Sequence, residues 1–235
     1  MSAGSTAPVE SRTRTTRVRK SPAERRTEVA RAAAEIALAH GLDAVTLRAV
    51  AQRLAVTPAL VAHYVASMDE LRAATVTRLM SEELVAMRTA VDEQRDALSA
   101  LRALLGALFR AGREPSAAVW LDAWSLGLRV PAVAQAVRDQ MDDWQDFVSA
   151  LLSGGCASGE FTTSDPDADA WQLIALADGL NAHSLVSYRD PAAREHLLAA
   201  TLEHSLGLPA GALAPSDRTP GTPISTHPTH PRSSA

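Results

Sequence analysis

The sequence TLRAVAQRLAVTPALVAHY, residues 46–64, predicts two short helices joined by a tight turn. Apolar residues at positions 47, 50, 51 and 54 recur at the spacing that places them on one helix face. Thr46 and Thr57 are natural N-caps, and Pro58 suits the first helical position, where no amide is needed. Because the turn between them is so short, the helices must cross steeply, as in a helix-turn-helix motif.

A helix-turn-helix motif places its second helix in the major groove of DNA. The stretch carries Arg48 and Arg53 and no acidic residue, so nothing in it repels phosphate. Two packed helices of an ordinary bundle would show the same apolar periodicity. The rest of the chain therefore decides between these two interpretations.

Charge is distributed unevenly along the 235 residues. Residues 1–80 contain 12 Lys and Arg against 7 Asp and Glu, whereas residues 81–235 contain 11 against 20. A basic first part and an acidic remainder are typical of a DNA-contacting head on a body that does not touch DNA. A chance distribution is the alternative, and it is disfavoured because the basic part also contains the helix pair.

The composition indicates an all-α protein with a sizeable core. Hydrophobic residues make up 46% of the chain and aromatic residues only 4%, which suits closely packed helices. No apolar run reaches the length of about 18 residues that a membrane span needs, and no secretory signal is evident. The single cysteine, Cys156, excludes an internal disulfide, and we expect it as a free thiol in a Gly/Ser loop. Together these features predict a cytoplasmic protein.

Capping signals and chain breaks predict about nine helices in two domains. Residues 1–20 are expected to be a disordered basic arm, which either follows DNA or serves as a solubilising tail. A head (21–84), with its second and third helices in 47–65, precedes a helical body (85–207) and a disordered proline-rich tail (208–235). In the body, we expect helices over residues 97–112, 116–128, 132–153, 166–188 and 191–206, with Gly154 and Gly155 ending the third of them.

The head resembles the tetracycline-repressor (TetR) family at several motif positions in register. These are Thr46-Leu47-Arg48, Val50-Ala51, Ala55-Val56, His63-Tyr64-Val65 and Ser67-Met68-Asp69-Glu70-Leu71. The resemblance covers about residues 24–84 and implies a three-helix DNA head, a long linking helix and a helical body that binds ligand and dimerises. Ala55 replaces the family's turn glycine, so the turn must avoid a positive φ or accept strain. Met68 and Val65 replace the usual Lys and Phe.

The body is more weakly similar to the branch of that family that contains the choline-responsive betaine repressor. The similar pieces are Trp120-Leu121-Asp122-Ala123-Trp124, Gly159-Glu160-Phe161 and Ala177-Asp178-Gly179-Leu180. Because that branch has varied effectors, the similarity names no ligand. By the same resemblance, residues 166–188 and 191–206 are expected to form the seam of a homodimer.

The resemblance also implies which head residues contact DNA. The expected set is Thr46, Arg48, Thr57, Pro58, Ala59, Leu60, His63 and Tyr64. The four residues from Thr57 would face base edges, with Leu60 suited to a thymine methyl group or, alternatively, buried against the first helix. His63 and Tyr64 would contact phosphate, unless their rings are simply packed or exposed.

A tryptophan pair suggests an effector cavity in the body. Trp120 and Trp124 lie one helical turn apart and either line a cavity or form part of the core. Weaker candidates of the same kind are Phe109, Trp144, Phe147 and His183.

The function favoured by these observations is a homodimeric transcriptional repressor. It would bind a near-palindromic operator in double-stranded DNA and leave it when an unknown small-molecule effector binds. An all-helical enzyme or small-molecule carrier without DNA binding is one alternative, and a protein-interaction module is another. We predict no catalytic residue, cofactor or metal site, because the sequence holds no phosphate-binding glycine loop, His-Glu-x-x-His or Gly-x-Ser-x-Gly motif.

Overall fold

The computed structural model describes residues 21–214, which fold as nine α-helices and one 3-10 turn, Leu42–Ala44, without a strand. The helices are α1 Pro22–His40, α2 Leu47–Arg53, α3 Pro58–Tyr64, α4 Met68–Asp92, α5 Ala97–Leu108, α6 Glu114–Gly127, α7 Pro131–Ala157, α8 Pro166–Leu185 and α9 Pro191–Ser205. The all-α prediction is confirmed for this range. The predicted basic arm (1–20) and residues 215–235 of the predicted tail lie outside the described residues.

Side-chain caps begin most of these helices, including those that the sequence predicts at Thr46 and Thr57. The Ser21 hydroxyl accepts from the Glu24 amide, and the Glu24 carboxylate accepts from the Ser21 amide, which completes a capping box. The other side-chain caps accept from the amide three positions on, and they are Thr46, Thr57, Ser67, Asp96, Asp165 and Asp190. Each cap satisfies an amide that the first helical turn leaves unpaired.

Helix α7 continues through the two glycines that the sequence analysis expected to end it, and it reaches Ala157. A Cβ at Gly155 would lie 2.1 Å from Cδ2 of Phe161, so this glycine admits an aromatic ring at close range. Phe161 is buried within the core of the body. Cys156 consequently lies in the last turn of α7 and packs against that core, and the predicted Gly/Ser loop around it is wrong.

Other helix ends differ from the sequence prediction by a few residues. Helix α5 ends at Leu108, and residues 109–112 form a turn. Helix α6 begins at Glu114 because Pro115 fits the first turn of a helix. Helix α8 ends at Leu185, ahead of the predicted end at residue 188.

Residues 208–214 fold back on the body, although the sequence analysis assigned them to the loose tail. Leu213 is buried, and its amide donates to Oε1 of Glu203 at 2.7 Å. The amide of Gly211 donates to the other oxygen of the same carboxylate at 2.9 Å. Nε of Arg102 also donates to the carbonyl of Ala212 at 2.6 Å. These bonds offset the entropy cost of ordering a short, proline-containing segment.

Two apolar clusters organise the described part of the chain. The head cluster joins α1 to α4, and it also takes in residues of α6 and α7, among them Val119, Ala123 and Val133. The body cluster joins the second half of α4 to α5, α7, α8 and α9. Trp120 packs against both clusters. The head core is therefore continuous with two helices of the body.

Residues 21–214 show neither a membrane span nor a metal site. None of the helices in this range has the length and hydropathy needed to cross a bilayer. The same residues contain no group of three or more His, Cys, Asp or Glu side chains placed to hold a metal ion.

Candidate DNA-binding head and ligand cavity

The turn between α2 and α3 contains the strained backbone conformation, a positive φ at Ala55, that was one of the two possibilities expected from the sequence. Ala55 has a φ of 52°, a left-handed conformation that glycine adopts more readily. The Ala55 amide donates to the carbonyl of Gln52 at 3.1 Å, and the Val56 amide donates to that of Ala51 at 3.0 Å. These bonds satisfy carbonyls at the end of α2 and reverse the chain into α3.

Helix α3 is anchored by one side and open on the other. Val61 is 1% exposed and belongs to the head cluster. Thr57, Pro58, Ala59 and His63 are exposed, so most of the predicted base-facing surface is uncovered. Leu60 and Tyr64 are half-buried. Part of each side chain is therefore packed, and part remains available for a contact with DNA.

The hydroxyl groups of the two threonine caps, Thr46 and Thr57, donate to no acceptor within residues 21–214. Thr46 Oγ1 accepts from the Ala49 amide at 3.1 Å, and Thr57 Oγ1 accepts from the Leu60 amide at 3.3 Å. Both threonines are exposed. Since a hydroxyl that accepts a hydrogen bond still carries its own proton, each can donate to a phosphate oxygen.

The two arginines of the helix pair differ in their surroundings. Nη2 of Arg53 lies 2.6 Å from Oε2 of Glu35, so this charge is already paired. Arg48 is exposed and forms no ion pair with any residue of 21–214. Arg48 is therefore the more available of the two arginines for DNA phosphate.

Near the end of α3, the rings of His63 and Tyr64 meet edge-on, with centroids 5.1 Å apart.

A cavity of about 40 Å³, partly open to solvent, lies inside the body where α4, α5, α6, α7 and α8 converge. Three of the predicted ligand residues, Trp120, Trp124 and Trp144, line it. The rings of Trp120 and Trp124 are 5.7 Å apart and inclined by 39°. Its other lining residues are Glu83, Leu108, Arg113, Ala117, Leu121, Met141, Leu173, Ile174, Ala177, Asp178, Asn181 and Ala182.

The other three predicted ligand residues lie outside this cavity. Phe109 follows the end of α5 and packs against the body core. Phe147 is buried, with the guanidinium carbon of Arg88 4.9 Å from its ring centroid. His183 is exposed on α8 and meets the ring of Tyr188 edge-on at 5.3 Å. The ring of Phe147 nevertheless meets that of Trp144 edge-on, with centroids 6.2 Å apart, so Phe147 packs against a residue of the cavity wall.

Glu83 is the polar centre of the cavity wall. Its Oε1 accepts from Nη2 of Arg113 at 2.5 Å and from the hydroxyl of Ser116 at 2.8 Å. Its Oε2 accepts from the indole Nε1 of Trp120 at 3.2 Å. Both members of the Glu83–Arg113 ion pair are mostly buried. These three donors occupy the oxygens of Glu83 and leave it little capacity for a ligand.

Asp178 is the cavity carboxylate that has no hydrogen-bond partner within residues 21–214. Burial raises the pKa of Asp178 to about 7, helped by the negative charge of Glu83 and opposed by the positive charge of Arg113. Since Glu83 and Arg113 neutralise each other, ionised Asp178 gives the cavity a net negative charge. The site therefore suits a positively charged ligand.

Sequence reasoning missed Glu83, Arg113 and Asp178 as members of this site. Asp178 carried a usable signal, since it is the single acidic residue between positions 170 and 189, on a largely apolar helix. A carboxylate in such a setting is rarely buried without a function. Glu83 lies next to Glu82 on a mixed helix, and nothing in the sequence distinguishes the two.

An exposed recognition helix on a helical body with an aromatic cavity defines the class of ligand-binding DNA regulators. Two family models match the chain in agreement with this architecture. Residues 30–75 match the model of bacterial regulatory proteins of the tetR family, and residues 97–207 match that of the C-terminal domain of BetI-type transcriptional repressors. The chain belongs to the TetR family, with a BetI-type body, and it is a DNA-binding transcriptional regulator.

Solved structures show the same fold. A regulator from Saccharomonospora viridis in complex with choline has a TM-score of 0.70 at 22% identity, covering 78% of this chain and 98% of that one. A transcriptional regulator from Rhodococcus sp. Rha1 has a TM-score of 0.66 at 25% identity, and the match covers 77% of this chain and 96% of that one. A regulator from Pseudomonas aeruginosa PAO1 has a TM-score of 0.67 at 20% identity, and the match covers 83% of this chain and 95% of that one. No curated protein matched the chain.

Proposed function

We propose that the protein is a homodimeric, cytoplasmic repressor without enzymatic activity that a small molecule releases from a near-palindromic operator. The head (21–84) would bind DNA, and the body (85–207) would bind the effector and dimerise. The observation that carries the proposal is the open face of α3, which is free to enter a major groove. Two heads would then occupy successive grooves, about 34–36 Å apart or a multiple of that distance.

The proposed DNA contacts follow from exposure. Thr57, Pro58 and Ala59 begin α3 and would face base edges, together with the exposed part of Leu60. Position-setting contacts to phosphate are proposed for the others, namely Thr46, Arg48, His63 and Tyr64. Such contacts fix the register of the head and add salt-dependent affinity.

The proposed dimer seam uses the outer faces of α8 and α9, within residues 166–188 and 191–206. Large apolar side chains are exposed there, with Trp171 at 69% and Leu197 at 50%. Val186, just after α8, is 77% exposed. Apolar side chains of this size on adjacent helices support burial against a second copy.

The proposed effector is a small organic cation. Indole rings attract cations through their π faces, and three of them line the cavity. Asp178 adds a carboxylate without a hydrogen-bond partner among the described residues. The choline bound to the S. viridis regulator is a cation of this class, which supports the proposal for the shared fold.

The effector is also proposed to carry an oxygen acceptor. Nε and Nη1 of Arg113 and Nε1 of Trp144 are buried and have no acceptor within residues 21–214. A buried N–H group without a partner is costly, so a hydroxyl or carbonyl oxygen on the ligand would add affinity. A hydroxyalkyl ammonium ion meets both requirements.

The test is a gel-shift titration with the DNA upstream of the protein's own gene, at several salt concentrations. We expect affinity that falls steeply with salt, weakens in Tyr64→Phe, and decreases again when choline is added as the probe cation. Because Tyr64→Phe removes only a hydroxyl from a half-buried ring, folding should be unaffected. Choline binding without DNA retardation at any salt would instead favour a small-molecule-binding protein that does not bind DNA.

A further inference from the structure

Helix α6 takes part in both the cavity and the head core. Trp120 and Trp124 of this helix line the cavity. Val119 and Ala123, on the adjoining face, are fully buried in the head cluster. Any shift of α6 that the cavity imposes must therefore displace side chains packed against the head, since close-packed interiors transmit small movements.

A hydrogen bond from this helix reaches the head backbone. Oδ2 of Asp122 accepts from the amide of Leu42 at 2.8 Å, across 80 positions of sequence. Leu42 is fully buried and begins the 3-10 turn between α1 and α2. Its amide belongs to the first residue of that turn, where no backbone acceptor within the turn is available. Asp122 thus caps the segment that sets the direction from α1 to α2.

The contact is close enough to constrain both partners. A Cβ at Gly41 would lie 2.7 Å from Oδ2 of Asp122, and Gly41 itself has a φ of 85°. A residue with a side chain at this position would push the carboxylate away from the Leu42 amide. The local backbone is therefore shaped to admit Asp122, which lies within one helical turn of both cavity tryptophans.

We infer that Asp122 is a positioning residue that couples the cavity to the DNA-binding head through the Leu42 amide. The inference rests on the proposed function and concerns how that function is regulated. A ligand that moves Trp120 or Trp124 rotates α6, and the rotation carries Asp122 with it. The head then loses or changes the anchor between α1 and α2, and the orientation of α3 changes.

A second route could bypass this contact, which makes the inference testable. Helix α4 contributes Glu83 to the cavity and Leu71 and Val76 to the head cluster. If α4 alone transmits the signal, the loss of the Asp122 acceptor leaves coupling intact. If Asp122 transmits the signal, removing its carboxylate makes DNA affinity independent of whether the cavity is occupied.

Coupling is reciprocal, so it can be measured from the DNA side without knowing the effector. All four tryptophans, at positions 120, 124, 144 and 171, lie in body helices, and indole emission therefore reports on the body. The experiment titrates full-length protein with duplex from the DNA upstream of its gene. It follows indole emission and gel retardation in parallel.

The variants are Asp122→Ala, which removes the acceptor, and Asp122→Asn, which keeps one. Ser125→Ala, at an exposed position of the same helix, is the matched control. We expect DNA to change the emission of the wild type and of the control fully, and that of the Asn variant to a smaller extent. In Asp122→Ala the duplex should still be retarded while the change in emission is lost.

Each other outcome has a distinct meaning. An unchanged emission response in Asp122→Ala, or no response in a wild type that binds DNA, overturns the coupling role. Absence of retardation in the wild type overturns the proposed function itself. If Asp122→Ala unfolds, as judged by circular dichroism, Asp122→Asn carries the test, since its amide weakens the acceptor and the emission response should shrink relative to Ser125→Ala.

Discussion

The indole Nε1 of Trp120 donates to Oε2 of Glu83 at 3.2 Å, and this bond joins α6 to α4 across the cavity wall. The same carboxylate accepts from Arg113 and Ser116. Glu83 thus closes one side of the cavity by holding together two helices that also extend into the head cluster. Loss of the hydrogen bonds that Glu83 accepts would therefore affect the cavity wall, the stability of the protein and the position of α6 together.

Removing Glu83 should be far more costly than removing its neighbour. Glu83→Ala leaves the mostly buried Arg113 without its partner, and we expect a loss of about 3 kcal/mol or more in the free energy of unfolding. Glu82→Ala breaks only the exposed pair with Arg78 and should cost at most about 1 kcal/mol. Urea unfolding measures both. Equal losses would contradict the central position of Glu83.

The two glycines near the end of α7 should respond oppositely to alanine. At Gly155 a Cβ would meet the Phe161 ring at 2.1 Å, so Gly155→Ala should cost about 1–3 kcal/mol through overpacking. At Gly154 a Cβ meets nothing within 4 Å, and Gly154→Ala should gain up to about 1 kcal/mol from helix propensity. Thermal unfolding distinguishes them. Stabilisation by Gly155→Ala would mean that Phe161 packs elsewhere.

Cation binding should strengthen as the pH rises, because the pKa of Asp178 is raised to about 7 by burial. A cation prefers the ionised carboxylate, so choline affinity should increase about tenfold between pH 6 and pH 8. Without ligand, the stability that protonated Asp178 contributes is lost as the pH rises through about 7. Asp178→Asn should flatten both profiles, measured by calorimetry and thermal unfolding. A tenfold rise retained in Asp178→Asn would exclude Asp178 as its source.

The two arginines of the helix pair should differ in their effect on DNA affinity. Arg48→Ala removes a cation that has no ion pair among residues 21–214 and should lower the magnitude of the slope of log K against log salt by about 1. Arg53→Ala removes a cation that Glu35 already neutralises, so its slope should stay closer to that of the wild type. Fluorescence anisotropy with labelled duplex gives both slopes. Identical slopes for wild type and Arg48→Ala would exclude a phosphate contact by Arg48.

The sequence predicted the helices well because their signals are local. Thr46 and Thr57 cap helices where their side chains and the following proline or apolar residues indicated. The end of α7 was predicted wrongly because the reason for Gly155 lies in Phe161, whose ring approaches only in the folded chain. A glycine that ends a helix and one that admits a ring look the same in sequence.

The cavity was predicted only in part, for a related reason. Spacing within one helix placed Trp120 and Trp124 on a common face, and the structure puts both in the cavity wall. The polar members come from three separate segments, and no single helix shows that Glu83, Arg113 and Asp178 converge. The same holds for Asp122, whose acceptor role depends on Leu42 at a distance of 80 positions.

The most direct test of the account is dimethyl sulfate protection of guanine N7 in operator DNA, because N7 lies in the major groove. The account predicts two patches of protected guanines, with centres about 10–10.5 base pairs apart or a multiple of that spacing. Added choline should abolish both patches together. Stable binding that leaves every guanine N7 reactive would contradict an α3 helix that reads the major groove.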